Sequence, residues 1–156
     1  MDEDVGCPIP PPLFGAIGEF DWPILAIRFS RLLSRAYNML FSISSTLKST
    51  DQYYAAIDRV NDDLEKWRLE IPLDLRPGEQ FRPQNPSTPA HMMMGLRAHY
   101  SYYQAVMSIC RLTLHISANG PPTRRSEECK KRLMSVARAV IELTRYVDSE
   151  PYMPIK

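Results

Sequence analysis

Cysteine is scarce in this 156-residue chain, which has three. Cys7, Cys110 and Cys129 lie far apart and do not form a spaced set. An odd, sparse count provides no disulfide framework and favours a reducing compartment. We therefore predict that the fold depends on its hydrophobic core and not on cross-links.

Long hydrophobic runs are also missing. No apolar stretch reaches the roughly 18 residues of a membrane-spanning helix, so the sequence predicts no contact with a membrane interior. The first residues, MDED, are acidic and lack the basic and apolar regions of a secretory signal. The sequence therefore predicts an intracellular protein.

Strong net charge is absent as well. The chain carries +1 at pH 7, which gives no reason to expect direct binding to nucleic acid or to acidic membranes. Residues 1–22 hold five of the 18 acidic residues and none of the 19 basic ones, so the remainder carries +6. That excess is spread over predicted helix faces, and we interpret it as surface charge that keeps the protein in solution.

Proline is abundant, and its placement predicts the architecture. Of 14 prolines, all but Pro23 fall in clusters at 8–12, 72–89, 121–122 and 151–154. Proline interrupts helices, so the long stretches between clusters are candidate helices. Apolar residues recur there at spacings of three and four, and no β-type alternation competes. The sequence predicts an all-α fold, a bundle of about four long amphipathic helices with proline-rich connectors.

The first two helices are predicted at about 22–48 and 51–70. Asp21 is the expected N-cap of the first, and Ser49 or Thr50 that of the second. Pro72 should end the second helix, because the residue before proline is pushed out of helical geometry. The predicted apolar stripes are Leu25, Phe29, Leu32, Ala36, Leu40, Ile43 and Leu47 in the first helix, and Tyr53, Ile57, Val60, Leu64 and Trp67 in the second.

A proline-rich linker at 73–87 precedes two further helices. The third is predicted from Thr88 and Pro89 to about residue 117, and the fourth over about 127–148 with Ser126 as its cap. The predicted stripes are Met92, Leu96, Tyr100, Tyr103, Met107, Cys110 and Leu114 in the third helix, and Cys129, Leu133, Val136, Val140, Leu143 and Val147 in the fourth.

Residues with the chemistry of an active site do not form a convincing set. Asp62 and Asp63 invite comparison with the magnesium-binding helix of all-α prenyl-diphosphate enzymes, but Lys66 stands where the next carboxylate should be. The three histidines, His91, His99 and His115, all fall on the third helix, whereas zinc ligands usually come from more than one element. We predict no catalytic residue, no metal and no cofactor site.

An aromatic and methionine-rich part of the third helix leaves two interpretations open. Packing in the core and at the surface is the simpler one. The other is a surface for a partner or a small ligand, because methionine side chains adapt to varied apolar surfaces. The candidate residues are Met92, Met93, Tyr102 and Tyr103, with Met94, Tyr100 and Met107 nearby.

The end of the second helix carries a resemblance. Its pattern D-x-L-x-x-W-R-x-x-I-P, followed by L-R-P, resembles the middle homology region of fungal-specific transcription factors, the binuclear zinc-cluster (six-cysteine) class. The matching residues are Asp62, Leu64, Trp67, Arg68, Ile71, Pro72, Leu75, Arg76 and Pro77, then Leu96, Tyr100 and Arg111, and finally Cys129, Ala137 and Arg138.

The resemblance implies a nuclear, non-enzymatic regulatory domain over 22–150, incomplete at its N-terminal side. An acidic, proline-rich segment (1–21) would precede it and a tail (151–156) would follow. Its partners would be other proteins or other parts of the same transcription factor, DNA only indirectly, and an unknown small-molecule inducer. Zinc is expected only in a missing N-terminal DNA-binding segment, because these three cysteines lack the C-x2-C-x6-C spacing of the cluster.

Two alternatives from other classes stay open at this point. The first is a free-standing helical adaptor that binds a partner helix in a groove. The second is a magnesium-dependent prenyl-diphosphate enzyme that uses Asp62 and Asp63.

Overall fold

The computed structural model describes residues 21–81, 89–118 and 120–147, and not the side chains of Thr46 and residues 89–91. Across these ranges the chain forms four α-helices and no β-strand, which confirms the all-α prediction. They are α1 (Trp22–Ala36), α2 (Thr50–Glu70), α3 (Pro89–Ile116) and α4 (Arg124–Leu143). Shorter helical turns cover Tyr37–Phe41, Ile43–Leu47, Leu73–Leu75 and Thr144–Tyr146.

Several predicted features fall outside those ranges. Except for Asp21, the acidic segment 1–21 with Cys7 lies there, as do residues 82–87 of the proline-rich linker, Thr88 and the tail 151–156. None of the helices between residues 21 and 147 is both long enough and apolar enough to span a bilayer.

The first helix is shorter than predicted. Asp21 caps it, because Asp21 Oδ1 accepts a hydrogen bond from the Ile24 amide at 3.1 Å. The α-helix ends at Ala36 and widens into a π-helical turn, and Ser42 is then extended with ψ of 160°. Ser42 donates its hydroxyl to the carbonyl of Asn38 at 2.7 Å, and such local bonds compete with the helix. The predicted extent 22–48 is therefore wrong, and Ile43 and Leu47 are 90% and 88% exposed.

The second helix follows its local signals closely. Ser49 caps it and forms a reciprocal capping box with Gln52. The helix ends at Glu70, and Ile71 before Pro72 is extended with ψ of 136°. Its predicted apolar stripe is buried apart from Tyr53, which is half-buried.

The third helix packs against α2, α4 and the turn at Leu73–Leu75. Elements on more than one side therefore bury more of it than the single predicted stripe. The buried residues include several outside that stripe: Ala98, His99, Tyr102, Ala105, Val106, Ile109 and Thr113.

The fourth helix starts earlier and ends sooner than predicted. Thr123 is the cap, because its hydroxyl accepts from the Ser126 amide at 3.2 Å, while the Ser126 hydroxyl accepts from the Thr123 amide at 3.0 Å. Ser126 is thus inside the helix, and the predicted start is wrong. The helix changes to a tighter turn after Leu143, which leaves Val147 exposed. Its apolar side packs on α3, and Arg125 binds Asp58 of α2 at 2.7 and 2.9 Å.

Candidate functional site at the junction of the second and third helices

The junction, defined as residues 64–81, contains the last turns of α2 and the described part of the connector, residues 71–81. Trp67 lies near the end of α2. The indole Nε1–H donates to the carbonyl of Leu25 in α1 at 3.0 Å. The Trp67 ring also packs on Phe29, with 4.5 Å between ring centroids. Because Trp67 is 5% exposed, these contacts fix the end of α2 against α1 and place the start of the connector.

Arg68, the next residue, ties the helix to the connector. Its guanidinium donates to both carboxylate oxygens of Glu65 at 2.9 and 3.0 Å and to the carbonyl of Pro77 at 2.9 Å. The hydrogen bond from Arg68 lowers the pKa of Glu65, and the same bond raises the pKa of Arg68. Residues nine positions apart are therefore held together by one planar, charged group.

Arg76 satisfies the carbonyls at the end of α2. Its guanidinium donates to the carbonyl of Ile71 at 3.0 Å and to that of Leu69 at 3.1 Å. The last carbonyls of a helix have no partner within the helix. A cation at this end also interacts favourably with the negative end of the helix dipole. Pro72 stops the helix, and Arg76 reaches back from the connector to cap it.

We expect Arg68→Met to lower the free energy of unfolding by about 1–3 kcal/mol, because the carbonyl of Pro77 and the carboxylate of Glu65 lose a charged donor. Arg68→Lys should recover only part of this loss, since lysine lacks the planar fork. Urea denaturation of both variants measures the effect, with Lys66→Met, an exposed cation on the same helix, as the control. Equal midpoints for Arg68→Met and Lys66→Met would show that Arg68 has no structural role.

Beyond Pro77 the connector, α3 and α4 line a cavity of about 320 Å³ that is open to solvent on one side. Gly78 turns the chain with φ of 88°, and its amide donates to the hydroxyl of Tyr103 at 3.1 Å. Phe81 then packs edge-on against His99, at 5.1 Å between centroids, and against Tyr146, at 5.0 Å. The cavity is thus bounded by aromatic rings from three parts of the chain.

His99 lies at the inner wall of this cavity and is 1% exposed. Burial lowers the pKa of His99 to about 4, although a contact with the backbone of Leu75 acts in the opposite direction. The imidazole is therefore neutral at pH 7, with one N–H donor and one nitrogen acceptor. Burial also raises the pKa of Tyr103, so its hydroxyl stays protonated at that pH.

A small residue allows the connector to approach α3 this closely. A Cβ atom at Gly95 would lie 2.9 Å from Cδ2 of Leu75 and 3.1 Å from Cε2 of Phe81. An isolated glycine within a helical pattern often has such a packing reason, so Gly95 could have indicated this contact from the sequence. Phe81 and Tyr146 carried no comparable signal.

The residues of the resemblance lie in three parts of the structure. Most are on the last turns of α2 or just after it: Asp62, Leu64, Trp67, Arg68, Ile71, Pro72, Leu75, Arg76 and Pro77. Leu96, Tyr100 and Arg111 lie on α3, and Cys129, Ala137 and Arg138 lie on α4. Tyr100 is half-buried against the core, whereas Asp62 and Arg111 are exposed.

The proposed partner surface on α3 needs a correction. Tyr102 and Tyr103 are 8% and 5% exposed and belong to the core, because α2, α4 and the connector cover that part of the helix. Met93 is 56% exposed, and Met92 is half-buried. An outer surface can therefore include Met92 and Met93 but not the two tyrosines, of which Tyr103 lines the cavity beside the connector.

The carboxylates on α2 do not form a metal site. Asp63 pairs with Arg35 and with Lys66, each at 3.6 Å. No group of three potential metal ligands comes together anywhere in the described ranges. Cys110 is buried beside Cys129, and burial raises the pKa of Cys110 to about 12, so its thiol is protonated at neutral pH.

Two curated proteins are similar to the chain, and both are named ABC-transporter-regulating transcription factors. The protein from Aspergillus oryzae is 27% identical over 104 residues, 67% of this chain and 11% of the relative. The one from Aspergillus fumigatus is 27% identical over 88 residues, 56% of this chain and 10% of the relative. The chain thus spans about a tenth of the length of these relatives.

No family model matches the chain, and no solved structure matches it either. The two similarities relate the chain to fungal transcription factors, which is the broader part of the resemblance noted above.

Proposed function

We propose that the chain is a regulatory, non-enzymatic helical domain of a fungal transcription factor. It acts in the nucleus, through protein partners or other parts of the same factor, and meets DNA only indirectly. The observation that carries the proposal is its similarity to the two transcription factors from Aspergillus. The middle homology region remains the specific domain that we propose for residues 22–150.

The geometry of the junction supports a regulatory role. Trp67 donates a hydrogen bond to the backbone of α1. Arg68 and Arg76 link the end of α2 to the connector that leads to α3. A movement of the connector would therefore alter contacts of both α2 and α3. A domain of this kind can regulate a factor when a partner binds one arrangement of its helices better than another.

The proposal is tested by placing the full chain between a heterologous DNA-binding domain and an activation domain, with a reporter gene in a fungal host. We expect reporter output to change several-fold relative to a flexible linker of equal length. Leu69→Ala, which replaces an exposed residue, should keep this effect, and Trp67→Ala should remove it because the fold is weakened.

Equal reporter output from the chain and from the linker, with both fusions present in the nucleus at the same level, would contradict the regulatory role. The free-standing adaptor would then be the better interpretation, since it predicts no effect on a fused activator. Nuclear exclusion of the fusion would contradict the proposed site of action.

A further inference from the structure

Two cysteines from different helices meet where α3 packs against α4. Cys110 lies on α3 and Cys129 in the second turn of α4, and both carry free thiols. The two side chains are close enough to share a hydrogen bond. Thiols in such contact come close to the separation that a disulfide needs, about 4 Å between the Cβ atoms. The fold therefore places two distant positions of the sequence within reach of a covalent link.

The two thiols differ in how easily an oxidant reaches them. Cys110 is 1% exposed, whereas Cys129 is half-buried and meets solvent. Burial also raises the pKa of Cys110 to about 12. Because the thiolate is the reactive form of cysteine, a buried and protonated thiol reacts slowly with an external oxidant. Cys129 is thus the thiol that an oxidant attacks first, with Cys110 waiting beside it.

Two arginines lie on the same side of α4 as Cys129. Arg125 stands four residues before it and Arg132 three residues after it, and these spacings share one face of a helix. Side chains of α2 hold both guanidinium groups: Asp58 accepts from Arg125 at 2.7 and 2.9 Å, and Asn61 accepts from Arg132 at 3.2 Å. Partly exposed cysteines beside cations are those that ionise and react readily.

We propose that Cys110 and Cys129 form a reversible disulfide when the protein meets a hydroperoxide such as hydrogen peroxide, which joins α3 to α4. The ionised sulfur of Cys129 attacks one peroxide oxygen, and the O–O bond breaks. Hydroxide leaves and takes up the proton that Cys129 released, which gives one water and a sulfenic acid on Cys129.

The buried thiol completes the reaction. The sulfur of Cys110 attacks the sulfur of Cys129, so an S–S bond forms while the S–O bond breaks. The hydroxyl group leaves with the proton of Cys110 as a second water. Two thiols have then lost two electrons, and one peroxide has become two waters. Thiol reductants reverse the link by exchange.

The disulfide would close a loop that contains the turn between α3 and α4. Such a link restricts the unfolded chain, so the oxidised protein should melt higher by on the order of 10 °C. Dithiothreitol should remove this shift. The inference stands on the two thiols and their surroundings, so its failure would leave the proposed transcriptional role in place.

The test treats the full chain with hydrogen peroxide and follows it by mass spectrometry. We expect the loss of two hydrogen atoms and, after digestion, a peptide that links Cys110 to Cys129. Cys7→Ser, which removes the third cysteine, should keep the link, and Cys110→Ser and Cys129→Ser should abolish it. In Cys110→Ser the sulfenic acid on Cys129 should accumulate and react with dimedone, because the thiol that consumes it is gone.

The unaltered chain gives a result that does not depend on how the variants fold. Oxidation of Cys129 to sulfinic acid without a link to Cys110 would overturn the proposal. A link that forms mainly with Cys7, or one between Cys110 and Cys129 that appears only in urea, would overturn it too. So would the absence of any reaction at Cys129 under conditions that oxidise free glutathione completely.

Discussion

Replacing Trp67 by alanine is expected to lower the free energy of unfolding by about 3–5 kcal/mol, the range for removing a large aromatic side chain from a core. Three losses add up at this position. The apolar surface of the indole is no longer buried, the ring contact with Phe29 disappears, and the carbonyl of Leu25 loses the Nε1–H donor. Because the contacts join α1 to the last turns of α2, both helices are affected at once.

Thermal unfolding provides the measurement. For a domain of this size the loss should lower the melting temperature by on the order of 10 °C. Trp67→Phe should lie between alanine and the native residue, since it keeps part of the ring packing but loses the Nε1–H donor. Leu69→Ala is the matched control, because Leu69 lies on the same helix but is exposed. If Trp67→Ala and Leu69→Ala have the same melting temperature, Trp67 is not part of the core.

Helix positions could be predicted from the sequence where short-range chemistry decides them. The second helix is the clearest case. Ser49 offers a hydroxyl to the first amides, and Pro72 forces Ile71 out of helical geometry. Each signal acts within a few residues, so the predicted and observed bounds agree closely.

The first helix shows why an apolar pattern can be misleading. The spacing of three and four continues past Leu40 to Ile43 and Leu47, yet the α-helix ends at Ala36. The pattern records which residues are apolar, and the backbone responds to competing hydrogen bonds such as the one from Ser42 to Asn38. Short-range hydrogen bonds also decide the start of α4. Thr123 is its N-cap, and Ser126, inside the helix, completes the capping box.

Only the part of the candidate site that lies within one short sequence pattern was predictable. Trp67, Arg68 and Pro72 stand within one short pattern, and their importance can be read from it. The cavity depends on pairs far apart in the sequence, such as Gly78 with Tyr103 and Phe81 with Tyr146. Nothing in the spacing along the chain specifies these pairs, because they exist only after the connector has packed against α3 and α4.

His99 is expected to make the protein less stable as the pH falls from about 7 to 4. Burial holds the pKa of His99 in the folded protein at about 4, whereas an unfolded histidine has a pKa near 6.5. Between these values the unfolded chain binds a proton that the folded chain does not, so acid favours unfolding. The stabilising contribution is complete above pH 6.5 and is lost progressively below it. We expect a loss of about 2 kcal/mol by pH 5 and about 3 kcal/mol below pH 4.

His99→Phe isolates this contribution, because it removes the titrating group and keeps an aromatic ring between Phe81 and Tyr103. The variant should match the native protein within about 1 kcal/mol at pH 7.5, since losing an unsatisfied polar group offsets the tighter packing. At pH 5 it should be the more stable protein. Asp58 and Glu65, whose pKa values are lowered mainly by hydrogen bonds from Arg125 and Arg68, also lose stabilising charge in acid, but equally in both proteins. Urea denaturation of the pair at several pH values therefore gives curves of unfolding free energy against pH that diverge between pH 7 and 4. Parallel curves would show that folding does not lower the pKa of His99.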